Sequence, residues 1–338
     1  MPKPPFHLDD TLDDSVQLSY EEELRIEDEV IQRRIEEEED MIVVVDRSID
    51  HNPVNEPIVM PDVDEVDEEI IVDDDEEIDE NPFAETELPL VHIKPSDRLN
   101  LEEIVQERLP DAEYYHDESE KRQIYIHHTA SSGSPYSAIN WWKRKSVRVA
   151  TFIVVAGKPN RSSSPYKDGE LYQCFSSKKW AHHLGIHGRG NKLTGSLAQY
   201  KTSEHNRLLN MQSVGIEIAN WGQLTYKDGK YYSYANVEVP ADEVTTYKKP
   251  YQGFKYYHKY SAAQIESLRK LLLYLCEQYR IPPTYHGDQI FKLYEPALRG
   301  DKGIFTHTSV RSDKFDCHPQ PELIAMLKSL SGGGGAIA

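Results

Sequence analysis

Histidines and acids at two distant points of the chain are of the types that bind a divalent metal ion. His127 ends the apolar segment KRQIYIHH, and His307 opens the loop HTSVRSDKFDCHP, in which Asp316 and Cys317 follow. Two imidazoles and one carboxylate or thiolate give three protein ligands for zinc and leave the fourth position open for water. That ligand count is typical of catalytic zinc, so these residues predict a hydrolytic metal centre.

The identity of the third ligand stays open at this point. A carboxylate and a thiolate are both legitimate zinc ligands, and Asp316 and Cys317 are neighbours in the chain. Side chains of adjacent residues on an extended segment point in opposite directions, so only one of the two can face the site. By the same rule only one of His127 and His128 can be a ligand.

A single carboxylate interrupts the apolar segment SVGIEIA. Glu217 has valine, glycine and isoleucines around it, and a buried strand does not keep a carboxylate without a partner or a purpose. The alternatives are a catalytic acid or base and a salt-bridged core residue.

The elements that position these residues alternate along the chain. Short β-branched and aromatic segments predict strands, and segments with a 3.6-residue apolar period or a capping signature predict helices. We predict strands at 121–128, 149–156, 171–175 and 213–219, and helices at 134–145, 203–210, 261–280 and 321–330. The fold class is therefore α/β, with a central mixed sheet flanked by helices.

Charge divides the 338 residues unevenly. The first 80 residues contain 31 acidic and 5 basic side chains, a net charge of −26, whereas the whole chain carries −20, so the remainder carries +6. Such an acidic tract repels itself and has little to bury. We expect a largely disordered acidic arm over residues 1–85, an ordered domain over 86–330 with its core in 120–330, and a flexible glycine-rich tail over 331–338.

Other features limit the environment and the partners. The three cysteines have no regular spacing, which argues against a disulfide framework. No apolar run approaches the ~18 residues of a membrane span, and no signal peptide is recognisable at the N-terminus. We expect cytoplasmic synthesis, no membrane insertion and no nucleic-acid partner. A basic or virion protein is a possible partner for the acidic arm.

Three motifs carry a family resemblance. IHHTA, SVGIEIANW and HTSVRSDKFDCHP, in this order, resemble those of the type 2 N-acetylmuramoyl-L-alanine amidases, which include phage endolysins and peptidoglycan recognition proteins. The resemblance covers about residues 120–330. It implies zinc ligands at His127, His307 and Asp316, and it favours Asp316 over Cys317 because the family's third ligand follows a catalytic lysine, here Lys314, by two residues.

The resemblance also implies the reaction. It places a catalytic glutamate at Glu217 and substrate-groove residues at Trp180 and His183. The expected activity is zinc-dependent hydrolysis of the N-acetylmuramoyl-L-alanine amide of bacterial peptidoglycan, in phage lysis or as a virion-associated enzyme at the cell wall. The alternatives are a peptidoglycan-binding module without activity and a virion structural protein that acts through its acidic arm.

Overall fold

The computed structural model describes residues 97–145 and 147–332. The acidic segment of residues 1–85 and the tail from residue 333 lie outside the described residues. The last helix extends to Gly332, so the expected start of the tail at residue 331 is two residues too early.

Eleven strands are found in the described part of the chain. They are β1 (Val105–Gln106), β2 (Gln123–His128), β3 (Ile153–Val155), β4 (Leu171–Gln173), β5 (Ser213–Ile218), β6 (Gln223–Lys227), β7 (Lys230–Tyr232), β8 (Glu238–Val239), β9 (Val244–Tyr251), β10 (Phe254–His258) and β11 (Gly303–Thr306). Six of them form the central sheet in the order β1-β4-β3-β5-β2-β11. All of its pairs are parallel except β3 with β4, so the predicted mixed sheet is confirmed.

The helices connect and cover these strands. They are α1 (Pro135–Lys145), α2 (Ser203–Met211), α3 (Ala262–Tyr279), α4 (Glu295–Arg299) and α5 (Pro321–Gly332). The capping box predicted for the long helix is present: Ser261 accepts from the backbone N–H of Gln264, and the Gln264 side chain accepts from the N–H of Ser261. Among the described residues, no helix is long and apolar enough to cross a membrane.

The two central strands are buried on both faces, as their apolar sequence predicts. All six residues of β2 are buried, and so are all residues of β5 except Glu217. Isoleucines and valines of these strands join one large hydrophobic cluster with leucines of α3 and α5. The strand ends that carry the polar residues are therefore held by a well-packed core.

A second sheet is inserted between β5 and α3. Its five antiparallel strands have the order β8-β7-β6-β10-β9. The segment Lys227-Asp-Gly229, a sequence typical of hairpin turns, joins β6 and β7. β8, β9 and β10 lie in segments for which the sequence predicts no strand. We call residues 223–258 the inserted sheet.

Candidate metal centre

Two neighbouring parallel strands deliver the two histidines to the same edge of the sheet. Ile126 of β2 and Thr306 of β11 are register partners, so His127 and His307, the next residue of each chain segment, lie side by side. Asp316 reaches them from the loop that precedes α5. His127, His307 and Asp316 are all buried, and their ligand atoms lie within 4.8 Å of one another.

The imidazoles converge on one carboxylate. The Nδ1 atom of His127 lies 3.1 Å from Oδ2 of Asp316, and the Nδ1 atom of His307 lies 3.0 Å from the same oxygen. The two rings are nearly perpendicular, with their centroids 4.6 Å apart. The three side chains thus surround a single point.

The ring nitrogens that face Asp316 carry lone pairs. The Nε2 atom of His307 donates to the carbonyl oxygen of Leu184 at 2.9 Å, which leaves Nδ1 of the neutral ring without a hydrogen. The Nε2 atom of His127 donates to Nδ1 of His183 at 3.0 Å, with the same consequence. Two lone pairs and a carboxylate with no hydrogen between them are satisfied by a divalent cation, so this donor set fits zinc.

A chain of hydrogen bonds fixes His183. Its Nε2 atom donates to Oγ of Ser213 at 2.9 Å, and that hydroxyl donates to the carbonyl of Asn210 at 3.3 Å. This direction of donation leaves Nδ1 of His183 as the acceptor for His127. Gly215 provides the space, because a Cβ atom there would lie 2.9 Å from Cγ of His183. The sequence did not predict this contact. His127, His183 and Gly215 lie on separate segments, and no spacing between them indicates that they meet in the fold.

The local electrostatics favour metal-ligand protonation states. Burial and the neighbouring His307 lower the pKa of His127 to about 4, so its ring is neutral at pH 7. Burial favours the neutral acid of Asp316, but the proximity of His307 and His127 outweighs it and holds the pKa of that carboxyl well below its usual value. A neutral imidazole and an ionised carboxylate are the forms that bind zinc.

Glu217 lies beside this group. It is the register partner of His127 on the neighbouring parallel strand, so the two side chains leave the same face of the sheet about 5 Å apart at the backbone. Glu217 is partly exposed, unlike the strand around it. A carboxylate here can exchange a proton with a water molecule or substrate at the metal position.

Lys314 lies two residues before Asp316 and is partly buried. Its charge acts on Asp313: burial opposes ionisation there, but the hydrogen-bonded Arg311 and the charge of Lys314 lower the pKa of that carboxyl. Lys314 therefore lies on the same loop as Asp316, the third candidate ligand.

Two other candidate ligands, His128 and Cys317, lie outside the group of His127, His307 and Asp316. His128 points to the opposite face of β2, where its Nδ1 atom contacts the hydroxyl of Tyr260 at 2.8 Å. Cys317 is fully buried, and burial together with Asp316 raises its thiol pKa well above the usual value, which favours the thiol over the thiolate ligand.

Trp180 does not have the exposed ring that substrate contact requires. It is 1% exposed, its ring stacks on Tyr115 with centroids 3.8 Å apart, and its Nε1 atom donates to Asp117 at 3.0 Å. The residues that bury it come from the segment before β2, a packing partner that the sequence did not reveal. We therefore correct the expectation for Trp180 to a core residue.

Comparison with known proteins agrees with this picture. The family profile described as N-acetylmuramoyl-L-alanine amidase matches residues 118–319. A search of curated proteins found no match.

Solved structures similar to the chain include PlyL, the PlyG catalytic domain and the Staphylococcus aureus hydrolase AmiA in complex with its ligand. Their identities are 13%, 15% and 12%, and their TM-scores are 0.36, 0.37 and 0.36. The alignments cover 68%, 70% and 70% of this chain and 98%, 98% and 85% of the respective structures. Because the family profile spans more than half of the chain, the chain belongs to the N-acetylmuramoyl-L-alanine amidase family, whose substrate is peptidoglycan.

Proposed function

We propose that this protein is a zinc-dependent amidase that hydrolyses the bond between N-acetylmuramic acid and L-alanine. One observation carries the proposal: two imidazole lone pairs and the Asp316 carboxylate converge on one point, with Glu217 in register with His127. A module that only binds peptidoglycan needs neither a complete ligand set nor a carboxylate beside it.

His127, His307 and Asp316 are the residues that hold the ion. Zinc bound there supplies Lewis-acid polarisation of the scissile carbonyl and lowers the pKa of the attacking water. Glu217 accepts the proton of that water and passes it to the leaving amine of L-alanine. The ammonium of Lys314 offsets the negative charge that develops on the carbonyl oxygen. His183 holds the ring of His127 in the tautomer that leaves Nδ1 free.

The product of digestion tests the proposed reaction. Purified peptidoglycan incubated with the full-length protein is expected to gain free L-alanine amino termini, without new reducing sugar ends, and a chelator is expected to stop the release. Tight binding to peptidoglycan with no new amino termini at any zinc concentration would instead identify a recognition module.

We also propose that the enzyme acts at the bacterial cell wall, as a phage lysis or virion-associated hydrolase. The resemblance of its motifs to those of phage endolysins supports this setting. A chain that lacks residues 1–85 is expected to keep its hydrolytic rate, because all proposed catalytic residues follow residue 120. Loss of hydrolysis on truncation would assign the acidic segment a part in catalysis, and loss of incorporation into particles alone would assign it a partner.

A further inference from the structure

The inserted sheet has two unlike faces. On one face, Tyr257 is fully buried and stacks on His318 with ring centroids 4.7 Å apart, so this side packs on the main domain. Tyr256, the preceding residue of β10, points the other way and is partly exposed. This outer face carries a small apolar cluster of Leu224, Val239 and Val244.

Aromatic rings gather on this outer face. Tyr226 and Tyr231 are register partners, and Tyr256 pairs with Leu224, two residues before Tyr226, so all three tyrosines lie on one side. Their ring centroids are 4.9 Å (Tyr226 to Tyr231), 5.7 Å (Tyr226 to Tyr256) and 5.1 Å (Tyr231 to Tyr256) apart. Trp221 packs on the same cluster, and its ring lies 6.1 Å from that of Tyr234.

Two of these rings, those of Tyr226 and Tyr234, are exposed to solvent. Of the five exposed large apolar side chains in the described part of the chain, three lie within residues 226–237, and Tyr226 at 53% is the most exposed. Contiguous exposed apolar surface of this kind marks a binding site. We call Trp221, Tyr226, Tyr231, Tyr234 and Tyr256 the aromatic face.

One end of the aromatic face, at Trp221, lies near the strand that carries Glu217. Trp221 follows Glu217 by four residues at the end of β5. The far end of the inserted sheet touches the loop of Asp316: the ring of Phe254 lies 5.3 Å from that of Phe315, edge to face. A polymer whose scissile bond lies at the metal centre therefore has this face within reach of its neighbouring units.

We propose that the aromatic face binds the glycan strand of peptidoglycan next to the cleavage site. The inference rests on the proposed function, which places that polymer at the metal centre. A pyranose ring presents C–H groups that pack on the electron-rich face of a tyrosine or tryptophan, while its hydroxyls bond the polar edge. The five rings are each about half exposed or less, so together they present roughly 600 Å² at most, below the ~800 Å² per partner of a stable protein interface.

The charges around the face suit the same ligand. Lys227, Lys230 and Lys255 are exposed, and Nζ of Lys255 lies 5.6 Å from the ring centroid of Tyr256. The acids of the inserted sheet are Asp228, Glu238, Asp242 and Glu243. Glu238 pairs with Lys230 at 2.7 Å, and Glu243 pairs with Lys158. The remaining positive charge complements the carboxylates of the stem peptides that the glycan strand carries.

Binding and cleavage are to be measured separately. Purified cell-wall sacculi and a hexamer of N-acetylglucosamine serve as binding probes, with EDTA present so that the sacculi are not cut. Tyr226→Ala is expected to weaken binding of both probes about five-fold, whereas Tyr226→Phe, which keeps the ring, retains binding. Leu208→Ala, a similarly exposed apolar site on α2, is the matched control and is expected to bind normally.

Hydrolysis of a short soluble muropeptide separates this inference from the proposed function. The wild-type protein is expected to release L-alanine termini from it, and Leu208→Ala, which lies outside both the metal centre and the aromatic face, is expected to cut it at the wild-type rate. Unchanged binding of both probes by Tyr226→Ala overturns the aromatic face as a glycan site, and so does a wild-type dimer that this variant dissociates. Ring-dependent binding by a wild-type protein that releases no L-alanine termini would overturn the proposed reaction and leave the glycan site standing.

Discussion

The carboxyl edge of the central sheet and the outer face of the inserted sheet differ in how far their side chains are exposed to water. At the sheet edge, His127, His307 and Asp316 are buried, and hydrogen bonds to His183 and to the carbonyl of Leu184 orient the two imidazoles. On the inserted sheet, aromatic rings such as Tyr226 stay exposed. Chemistry requires groups held in one arrangement in a site of low water content, whereas recognition of a polymer requires accessible surface. The candidate catalytic groups and the exposed aromatic rings of this chain therefore lie on different sheets.

Contacts join the two regions through the loop of Asp316. The hydroxyl of Tyr247 lies 2.7 Å from Nδ1 of His318, and that of Tyr251 donates to the carbonyl of Cys317 at 3.3 Å. The inserted sheet therefore supports the loop of Asp316 from one side while it presents its aromatic rings on the other. Variants in each region separate these roles.

Glu217→Gln is expected to have the largest effect on rate with the least effect on structure. The amide cannot accept the proton of water, so hydrolysis falls by ~10²–10⁴-fold, while zinc content stays unchanged because Glu217 is not a ligand. Single-turnover release of L-alanine termini measures the rate. Near-normal hydrolysis by this variant would exclude Glu217 as the base.

His183→Ala removes the acceptor for Nε2 of His127. We expect zinc affinity to fall by ~10–100-fold, as measured by competition with a chromogenic chelator. Gly215→Ala is expected to weaken zinc binding in the same direction, since its Cβ would lie 2.9 Å from the His183 ring. The exposed His116→Ala is the control and should bind zinc normally; unchanged affinity in both His183→Ala and Gly215→Ala would mean that this hydrogen bond does not orient the ligand.

Phe254→Ala tests the support that the inserted sheet gives to the metal loop. The edge-to-face contact with Phe315 is worth ~0.5–1.5 kcal/mol. We expect its loss to lower zinc affinity by about two- to ten-fold. Tyr226→Ala changes only the outer face of the same sheet and should leave zinc affinity intact. Equal effects of the two substitutions would mean that the two faces are not separate in function.

The smallest effect is a pH-dependent link between the inserted sheet and the main domain. A hydrogen bond with His258, opposed by burial, and a salt bridge with Lys158 lower the pKa of Glu243 from 4.5 to about 2. The stabilisation is present above pH 4.5 and is lost as pH falls toward 2, because only the ionised form is favoured by folding. Glu243 is partly exposed and its partner Lys158 is largely exposed, so solvent screening limits the contribution to at most ~1 kcal/mol.

Thermal unfolding of Glu243→Gln against wild type measures this contribution. The variant should unfold at a lower temperature at pH 7, and the difference should shrink to nothing at the acid end. A difference that grows on acidification would contradict the assigned ion pair.

The parts of the molecule that sequence predicted are those with local causes. The apolar patterns of β2 and β5 located His127 and Glu217, and the capping residues Ser261 and Gln264 located the start of α3. The residue types of the loop after β11 indicated His307 and Asp316 as candidates, the motif resemblance favoured Asp316 over Cys317, and the fold brings both together with His127.

The parts that sequence missed depend on contacts between distant segments. Trp180 is buried because Tyr115, 65 residues earlier in the printed sequence, stacks on it. His183 meets His127 only because Gly215 leaves space on a third segment. The strands of residues 244–258 alternate tyrosine and lysine with little apolar period, so periodicity gave no signal for them.

Metal content tests the central claim most directly. Full-length wild-type protein and His307→Ala, dialysed against buffered zinc and analysed by mass spectrometry, are expected to hold about one zinc per chain and almost none, respectively, while circular dichroism shows the same secondary structure in both. Equal zinc in the two proteins, or a wild type that hydrolyses peptidoglycan with no bound metal, would contradict the account.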